Sequence, residues 1–362
     1  MKIIFCITGL GIGGAEAITV DIANQMLHNG HEIMILYLTG ENKQVDRINK
    51  KITVVGFSMK KSCLGFLHAQ YKAYKIISKW KPDVVHANMV HANLFCRFLR
   101  LYCKIPKLIS SEHSNNVEGY GRMLMYRLTD FLSDINTNVS KNATNDFINK
   151  KVFSSKKSFT VYNGIDLDKF YNNKRNVDPI RNYYGITKTD FLFLNIGRLV
   201  PAKDQITLII AFEKLTRVYP DVKLLIVGEG ELKKTLAEKI IDCSLTGKVI
   251  LAGAHTNVVD FYNAADCFVL SSIWEGFGIV LAEAMACELP VIGTNCGGCV
   301  EVIDNEQFIV PPSDFDILFH KMKNLYEKPL VQRNHLGIEN RKKAMRFDLN
   351  SICMQWQKLY NS

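Results

Sequence analysis

Short, mostly apolar runs of three to eight residues recur along the whole chain, commonly followed by a glycine-bearing or polar turn and then a segment of helical period. In the first half the runs are Lys2–Cys6, His31–Leu38, Ile52–Phe57, Asp83–His86, Lys107–Ser111, Ile135–Val139 and Phe159–Val161. In the second they are Phe191–Ile196, Leu224–Val227, Val249–Ala252, Cys267–Leu270 and Val291–Gly293. Continuous rather than alternating apolar character is what strands buried on both faces require, so the pattern predicts parallel sheets with helices on both sides. Helices are expected up to about Asn29, where Gly30 stops the first, and up to Trp80 and over Gly121–Leu132. Further helices are expected after Asp204 to about Val218, over Ile279–Cys287 and Ser313–Tyr326, and over Leu349–Leu359. The fold class is α/β, with two Rossmann-like doubly wound domains.

The polar stretch from Tyr162 to about Asn182 divides the two halves. The expected domains are residues 1–165 and 166–344, with a C-terminal helix over about 345–362 crossing back to the first. A length of 362 residues suits two domains that each bury a core. No run of 18 apolar residues occurs, and the chain opens on a strand rather than a signal-peptide layout, which predicts a cytoplasmic protein. Ten cysteines then read as free thiols. Cys296-Gly-Gly-Cys299 has no second cysteine pair at metal spacing, so it reads as a glycine turn with two thiols, redox use being the alternative.

Charge separates the halves. Residues 1–165 hold 22 Lys and Arg against 11 Asp and Glu, whereas the remainder holds 23 against 24. The first half should therefore meet an anionic partner. The cations are dispersed and carry no nucleic-acid motif, which favours lipid or phosphate. Basic and bulky apolar residues alternate over Met59–Leu67 and again over Gly121–Leu132, as at a membrane interface, although a core-facing helix start would read the same.

The candidate chemistry lies in the turns. Glu275-Gly-Phe-Gly follows a strand and precedes a helix that carries Glu283. Carboxylates accept from hydroxyls, and the amides of Gly276, Phe277, Gly278 and Ile279 at a helix N-terminus favour anions. A nucleotide sugar satisfies both. Arg198 and Lys203 flank another strand-to-helix turn, a guanidinium fork and a point charge suited to a diphosphate. Gly228 ends a strand where the absence of a side chain would admit a flat base or ribose. His113 follows a strand at the sheet edge where parallel sheets bind ligands. Gly9, Gly11 and Gly14 match the dinucleotide pattern, but the second strand ends Leu36-Tyr37-Leu38-Thr39 without the expected acid, and Glu16 would oppose a pyrophosphate. That loop reads as a glycine-rich wall. Asp166-x-Asp168 and Asp314-Phe-Asp316 read as turn and cap residues rather than metal ligands.

Six motifs occur in order: Gly13-Gly14-Ala15-Glu16, Ser111-Glu112-His113, Asn163-Gly164-Ile165-Asp166, Gly197-Arg198 with Lys203, Gly228-Glu229-Gly230, and Glu275 with Glu283 eight residues on. Together they resemble glycosyltransferase family 4, retaining enzymes of the GT-B fold. The resemblance implies two domains facing across a cleft, with acceptor on the first and nucleotide-sugar donor, a UDP-sugar favoured, on the second. It implies catalytic roles for His113, Glu275, Arg198 and Lys203. It implies donor contacts from Gly13, Gly14, Asn163, Arg198, Lys203, Gly228, Phe277, Gly278, Ile279, Val280 and Glu283. Glu283 would bind the ribose and Glu275 the donor sugar. No metal or other cofactor is expected. The implied acceptor is a polyprenyl-diphosphate-linked glycan in bacterial surface polysaccharide assembly, at the inner face of the membrane. Asn88 departs from a histidine that many relatives carry there, which weakens the case for its loop. A nucleotide-sugar epimerase, or a non-catalytic nucleotide- or glycan-binding protein, would share much of this pattern.

Overall fold

A computed structural model describes residues 1–11, 13–114, 119–173 and 178–362. Ile12 of the glycine loop, Asn115 after His113 and residues 174–177 of the crossover lie outside the described residues. The chain forms two compact units, residues 1–164 with 349–362 and residues 165–348.

In the first unit β1 (Lys2–Ile7), β2 (Glu32–Tyr37), β3 (Thr53–Gly56), β4 (Val84–Asn88), β5 (Lys107–Glu112), β6 (Ile135–Asn138) and β7 (Ser158–Thr160) form one sheet. Their order is β3-β2-β1-β4-β5-β6-β7, and the pairs are parallel. The connecting helices are α1 (Gly14–His28), α2 (Cys63–Trp80), α3 (Val90–Leu99), α4 (Tyr120–Thr129) and α5 (Lys141–Asn149). Helix α1 ends where Gly30 takes φ +85°, a backbone state that glycine adopts without strain. Ser62 caps α2 by accepting from the Gly65 N–H at 3.1 Å. The C-terminal helix Leu349–Asn361 buries Ile352, Cys353, Trp356 and Tyr360, spaced so that one stripe packs on this unit.

In the second unit the strands are β8 (Phe191–Ile196), β9 (Val222–Val227), β10 (Val249–Gly253), β11 (Cys267–Leu270), β12 (Val291–Thr294) and β13 (Ile309–Val310). They run parallel in the order β10-β9-β8-β11-β12-β13. The helices are α6 (Asp178–Tyr183), α7 (Gln205–Thr216), α8 (Lys233–Asp242), α9 (Val259–Ala264), α10 (Ile279–Ala286), α11 (Cys299–Ile303), α12 (Phe315–Tyr326) and α13 (Leu330–Ala344). Both sheets reverse their strand order once, at β1/β4 and at β8/β11. Loops leave the C-terminal ends of those strands at each reversal, the place where doubly wound sheets take ligands.

Several expectations change. Helices α3, α5, α6, α8, α9, α11 and α13 and strand β13 were not individually anticipated, and in α3 the polar Asn93 and Arg97 are buried, both at 0% exposure, beside Ala92, Phe95, Cys96 and Leu99. The start of α2 serves both readings: Met59 and Phe66 pack against the core, whereas Leu64 and Leu67 are 81% and 61% exposed. Asp166 accepts from the backbone of Asp168 and Lys169 and Asp314 caps α12, the turn and cap roles expected of them. All ten cysteines are free. Among the described residues no helix is long and apolar enough to cross a membrane.

Candidate active site

The second unit builds its cluster on the two strands at its switch point. After β8 the chain turns through Gly197–Asp204, and after β11 through Ser271–Gly278. The two loops are laced together: Ile273 N–H donates to the Ala202 carbonyl at 2.9 Å, and Ser271 Oγ donates to the Lys203 carbonyl at 2.9 Å. Lys203 Nζ donates to Glu275 Oε1, which also accepts from Ser272 Oγ at 2.9 Å. The paired side chains are only 18% and 13% exposed, so their attraction is poorly screened by solvent. Arg198 is exposed on the same loop, its carbonyl fixed by Gln205 Nε2 at 3.1 Å.

Gly228 takes φ +150°, and a Cβ there would overlap the Gly197 carbonyl. Gly230 likewise sits under Leu199, whose N–H donates to the Glu229 carbonyl at 2.9 Å. The missing side chain at 228 therefore makes room for the β8 loop itself, a reason for glycine additional to the expected approach of a base or ribose. Phe277 is buried and meets Phe347 edge-to-face at 5.1 Å, so its ring anchors the loop while its backbone leads to Gly278. Gly278, at φ +82°, precedes α10 and supplies no side-chain cap to Ile279 and Val280. Glu283 accepts from the buried Tyr262 hydroxyl at 2.7 Å, which holds one of its oxygens in place.

In the first unit Gly13 and Gly14 open α1, and the Glu16 side chain folds back over Gly13. A carboxylate there meets the positive end of α1 and opposes a pyrophosphate, in line with the glycine loop not being a dinucleotide site. Gln44 Nε2 donates to the Gly11 carbonyl at 2.6 Å and holds the loop. Asn163 is buried after β7, and Gly164 is needed because a Cβ would lie 2.8 Å from Leu349 Cδ1.

His113 follows β5. Its Nε2 lies 3.0 Å from Asn88 Oδ1, while Asn88 Nδ2 donates to the His86 carbonyl at 3.2 Å. The amide orientation thus puts the proton on Nε2 and leaves Nδ1, which has no partner among the described residues, as an acceptor. Burial lowers the His113 pKa to about 4, so the ring is neutral near pH 7. Behind it Glu112 accepts from Asn93 Nδ2 at 2.9 Å and from the Tyr126 hydroxyl. Burial pushes its carboxyl up to about 7 despite those bonds and the nearby Arg97. His86 is held between Tyr360 and Ser111 at 2.9 and 2.7 Å, tying β4 to the C-terminal helix.

Comparison with known proteins decides the class. The family model described as glycosyl transferases group 1 matches residues 176–343, and that described as Glycosyltransferase Family 4 matches residues 12–169. An uncharacterised glycosyltransferase of Methanocaldococcus jannaschii is 30% identical over 340 aligned residues, covering 81% of this chain and 82% of that protein. The chain belongs to glycosyltransferase family 4.

Other relatives of this glycosyltransferase include an Escherichia coli enzyme named UDP-Gal:alpha-D-GlcNAc-diphosphoundecaprenol alpha-1,3-galactosyltransferase. It is 28% identical, with 67% of this chain and 66% of that one covered. The crystal structure of Anabaena HepE in complex with UDP superposes with a TM-score of 0.87 at 21% identity, covering 100% of both chains. That likeness gives the fold, two Rossmann-like units of the GT-B class.

The structure pairs Lys203 with Glu275, sets Arg198 on the same loop, and gives Glu283 a separate partner in Tyr262. Sequence reasoning missed Ser272, Tyr262 and the part played by Asn88. Asn88 was read as weakening its loop, whereas it sets the tautomer of His113. The signal available was position alone: Asn88 ends β4 and His113 directly follows its neighbour β5.

Proposed function

We propose that this glycosyltransferase moves a hexosyl or N-acetylhexosaminyl group, with retention and without a metal, from a nucleotide sugar to a lipid-linked saccharide. A UDP-sugar is the favoured donor and a polyprenyl-diphosphate glycan the favoured acceptor, in bacterial surface polysaccharide assembly at the inner face of the membrane. The observation that carries the reading is the Lys203–Glu275 pair beside Arg198 at the switch point of the second sheet. One site there offers cations to a diphosphate and a carboxylate to sugar hydroxyls. The E. coli relative's named donor and acceptor, and the UDP in the HepE crystals, support the same choice.

The chemistry follows from charge. As the bond from the anomeric carbon to the phosphate oxygen breaks, negative charge grows on the leaving diphosphate. Arg198, Lys203 and the N-terminus of α10 stabilise that charge, which is the work a divalent cation would otherwise do. The acceptor oxygen attacks from the face the phosphate leaves, and its proton passes to the departing phosphate oxygen. Glu283 takes the ribose hydroxyls and Glu275 the donor sugar. His113, neutral with Nδ1 free to accept, takes a substrate hydroxyl.

Thermal unfolding with UDP, GDP, ADP and NAD in turn tests the reading. A ligand at 100 times its Kd stabilises by about 2.7 kcal/mol, a visible shift. UDP is expected to shift the wild type, and Glu275→Gln and Lys203→Gln are expected to retain folding while turnover falls by about two orders of magnitude. Wild-type turnover in both variants, or a shift with NAD alone, would overturn the assignment. Conversion of the donor without an acceptor would select the epimerase reading.

A further inference from the structure

The sequence Cys296-Gly297-Gly298-Cys299 joins β12 to α11. Gly297 takes φ +49°, and Cys299 N–H donates to the Cys296 carbonyl at 3.1 Å, closing a four-residue turn. Such a turn holds its end Cα atoms within about 7 Å, and a disulfide takes Cα separations of roughly 4.4–6.8 Å. The two sulfurs lie 3.7 Å apart. No backbone rearrangement on the scale of an element is needed to join them.

The pair is wired to the candidate site. Cys296 Sγ lies 3.3 Å from Thr294 Oγ1, which donates to the Ser272 carbonyl at 2.6 Å. Ser272 Oγ in turn donates to Glu275 Oε1 at 2.9 Å, and Glu275 holds Lys203. On the other side Cys299 Sγ lies 3.0 Å from where a Cβ on Gly278 would be, so it packs against the residue that opens α10. Bonded sulfurs sit about 2.05 Å apart, so they must approach by more than an ångström and a half. That movement takes place between Thr294 on one side and the Gly278 backbone on the other, so it is made against the two elements that border the Ser271–Gly278 loop.

We propose that Cys296 and Cys299 form a reversible dithiol–disulfide site whose oxidation displaces the Ser271–Gly278 loop and weakens donor binding. The oxidant is a low-molecular-weight disulfide. Cys296, 6% exposed against 0% for Cys299, attacks it first. One sulfur of the reagent leaves as thiolate and takes the Cys296 proton, and a mixed disulfide remains. Cys299 then attacks Cys296 Sγ, expels the second thiolate and gives it its proton. Two thiols have lost two electrons and two protons, and one disulfide has become two thiols. The order suits the thiols: Cys296 is the more accessible of the two, and the proton shared with Cys299 Sγ holds it below the ordinary thiol range, which favours Cys296 as the first thiolate.

Formation of the disulfide stands on the turn alone, while its effect on UDP affinity rests on the function proposed above. The test is equilibration of the reduced protein in glutathione buffers of rising oxidised fraction. Disulfides are mapped by peptide mass spectrometry, and amide hydrogen exchange is followed over residues 271–280. The Cys296–Cys299 bond is expected to form before any other. Exchange in 271–280 is expected to rise, UDP affinity to fall at least fivefold, and dithiothreitol to reverse all three. Cys296→Ser/Cys299→Ser should bind UDP as the reduced wild type does and ignore the buffer. If that pair fails to fold, either single variant must abolish the exchange response. The proposal is overturned if the bond does not form, if oxidation maps instead to the contacting pair Cys6 and Cys96 in the first unit, or if the bond forms with exchange unchanged. Failure of the reduced protein to bind UDP would sink the donor-site reading, and mapping and exchange would still decide the dithiol.

Discussion

At the scale of single residues the first unit hides its chemistry in buried titratable groups. Asn88 matters through His113: with Oδ1 facing Nε2, the amide leaves Nδ1 as an acceptor. Asn88→Asp would put an anion there, raise the His113 pKa from about 4 toward or beyond the ordinary imidazole value, and turn Nδ1 into a donor near pH 7. We expect kcat to fall about tenfold at pH 7. NMR titration of the imidazole checks the shift, and an unchanged pKa with unchanged kcat would remove Asn88 from the account. Glu112 offers a second test. Its carboxyl titrates near 7 in the folded chain against 4.5 as the ordinary value. Its contribution to stability is therefore full below about 4.5 and is lost as pH rises through 7, because between those values the folded chain keeps a proton the unfolded chain has released. His86 and His113, lowered to about 3 and about 4, run the opposite way and lose their contribution as pH falls below 6.5. Glu112→Gln removes the ionising group between Arg97 and Tyr126. Its Tm should exceed the wild type at pH 8, by up to about 3 kcal/mol in stability, and the advantage should vanish near pH 5. A constant difference across that range would show that burial of the charge is not what Glu112 contributes.

At the scale of elements the strands were legible because a strand buried on both faces is a continuous apolar run. Phe191–Ile196 is buried at every position and was read with the same bounds. Helix α3 was not legible, for an equally physical reason. Asn93 and Arg97 look like the solvent stripe of a helix, yet Arg97 is enclosed by acceptors from Ser110, Tyr126, Thr129 and Asn136, none of which is near it in sequence. Helix α13 buries only Gly337 and Ala344, so no apolar period announces it. The candidate site divides the same way. The loops carrying Arg198, Lys203 and Glu275 could be placed from local pattern. The pairing of Lys203 with Glu275 spans 72 residues and depends on β8 and β11 lying side by side. The glycines after β9 show how closely those loops are packed. Gly228→Ala meets both a φ of +150° and the Gly197 carbonyl, so a loss of at least about 2 kcal/mol is expected. That corresponds to a Tm drop of about 4–8 °C, with UDP binding weakened because Arg198 and Lys203 ride on the displaced loop. Calorimetry with and without UDP checks both. An unchanged Tm would mean that the loop yields freely and that glycine at 228 has another cause.

At the scale of the whole molecule, charge and exposed apolar surface coincide. The excess of Lys and Arg lies in residues 1–165, and α2 carries Leu64, Leu67, Tyr71 and Tyr74 outward, at 81%, 61%, 54% and 39% exposure. Their spacing of three and four residues puts them on one helical face. Lys60, Lys61, Lys72 and Lys75 are exposed along the same segment. A face of this kind has two terms to offer an acidic bilayer: burial of apolar side chains at about 25 cal/mol per Å², and roughly 1 kcal/mol per cation near an anionic surface. The second term is screened by salt and the first is not. Sedimentation with vesicles is therefore expected to show binding to anionic phospholipid, weaker binding at 0.5 M salt, and little binding to zwitterionic lipid. Leu64→Gln/Leu67→Gln removes two side chains worth about 1.5–3 kcal/mol each when fully inserted, so binding should fall by at least tenfold even at low salt. The same double variant should keep wild-type Tm, since both leucines are exposed and carry no core packing. Equal binding by wild type and variant, or equal binding to neutral and acidic vesicles, would overturn α2 as a membrane-contacting face.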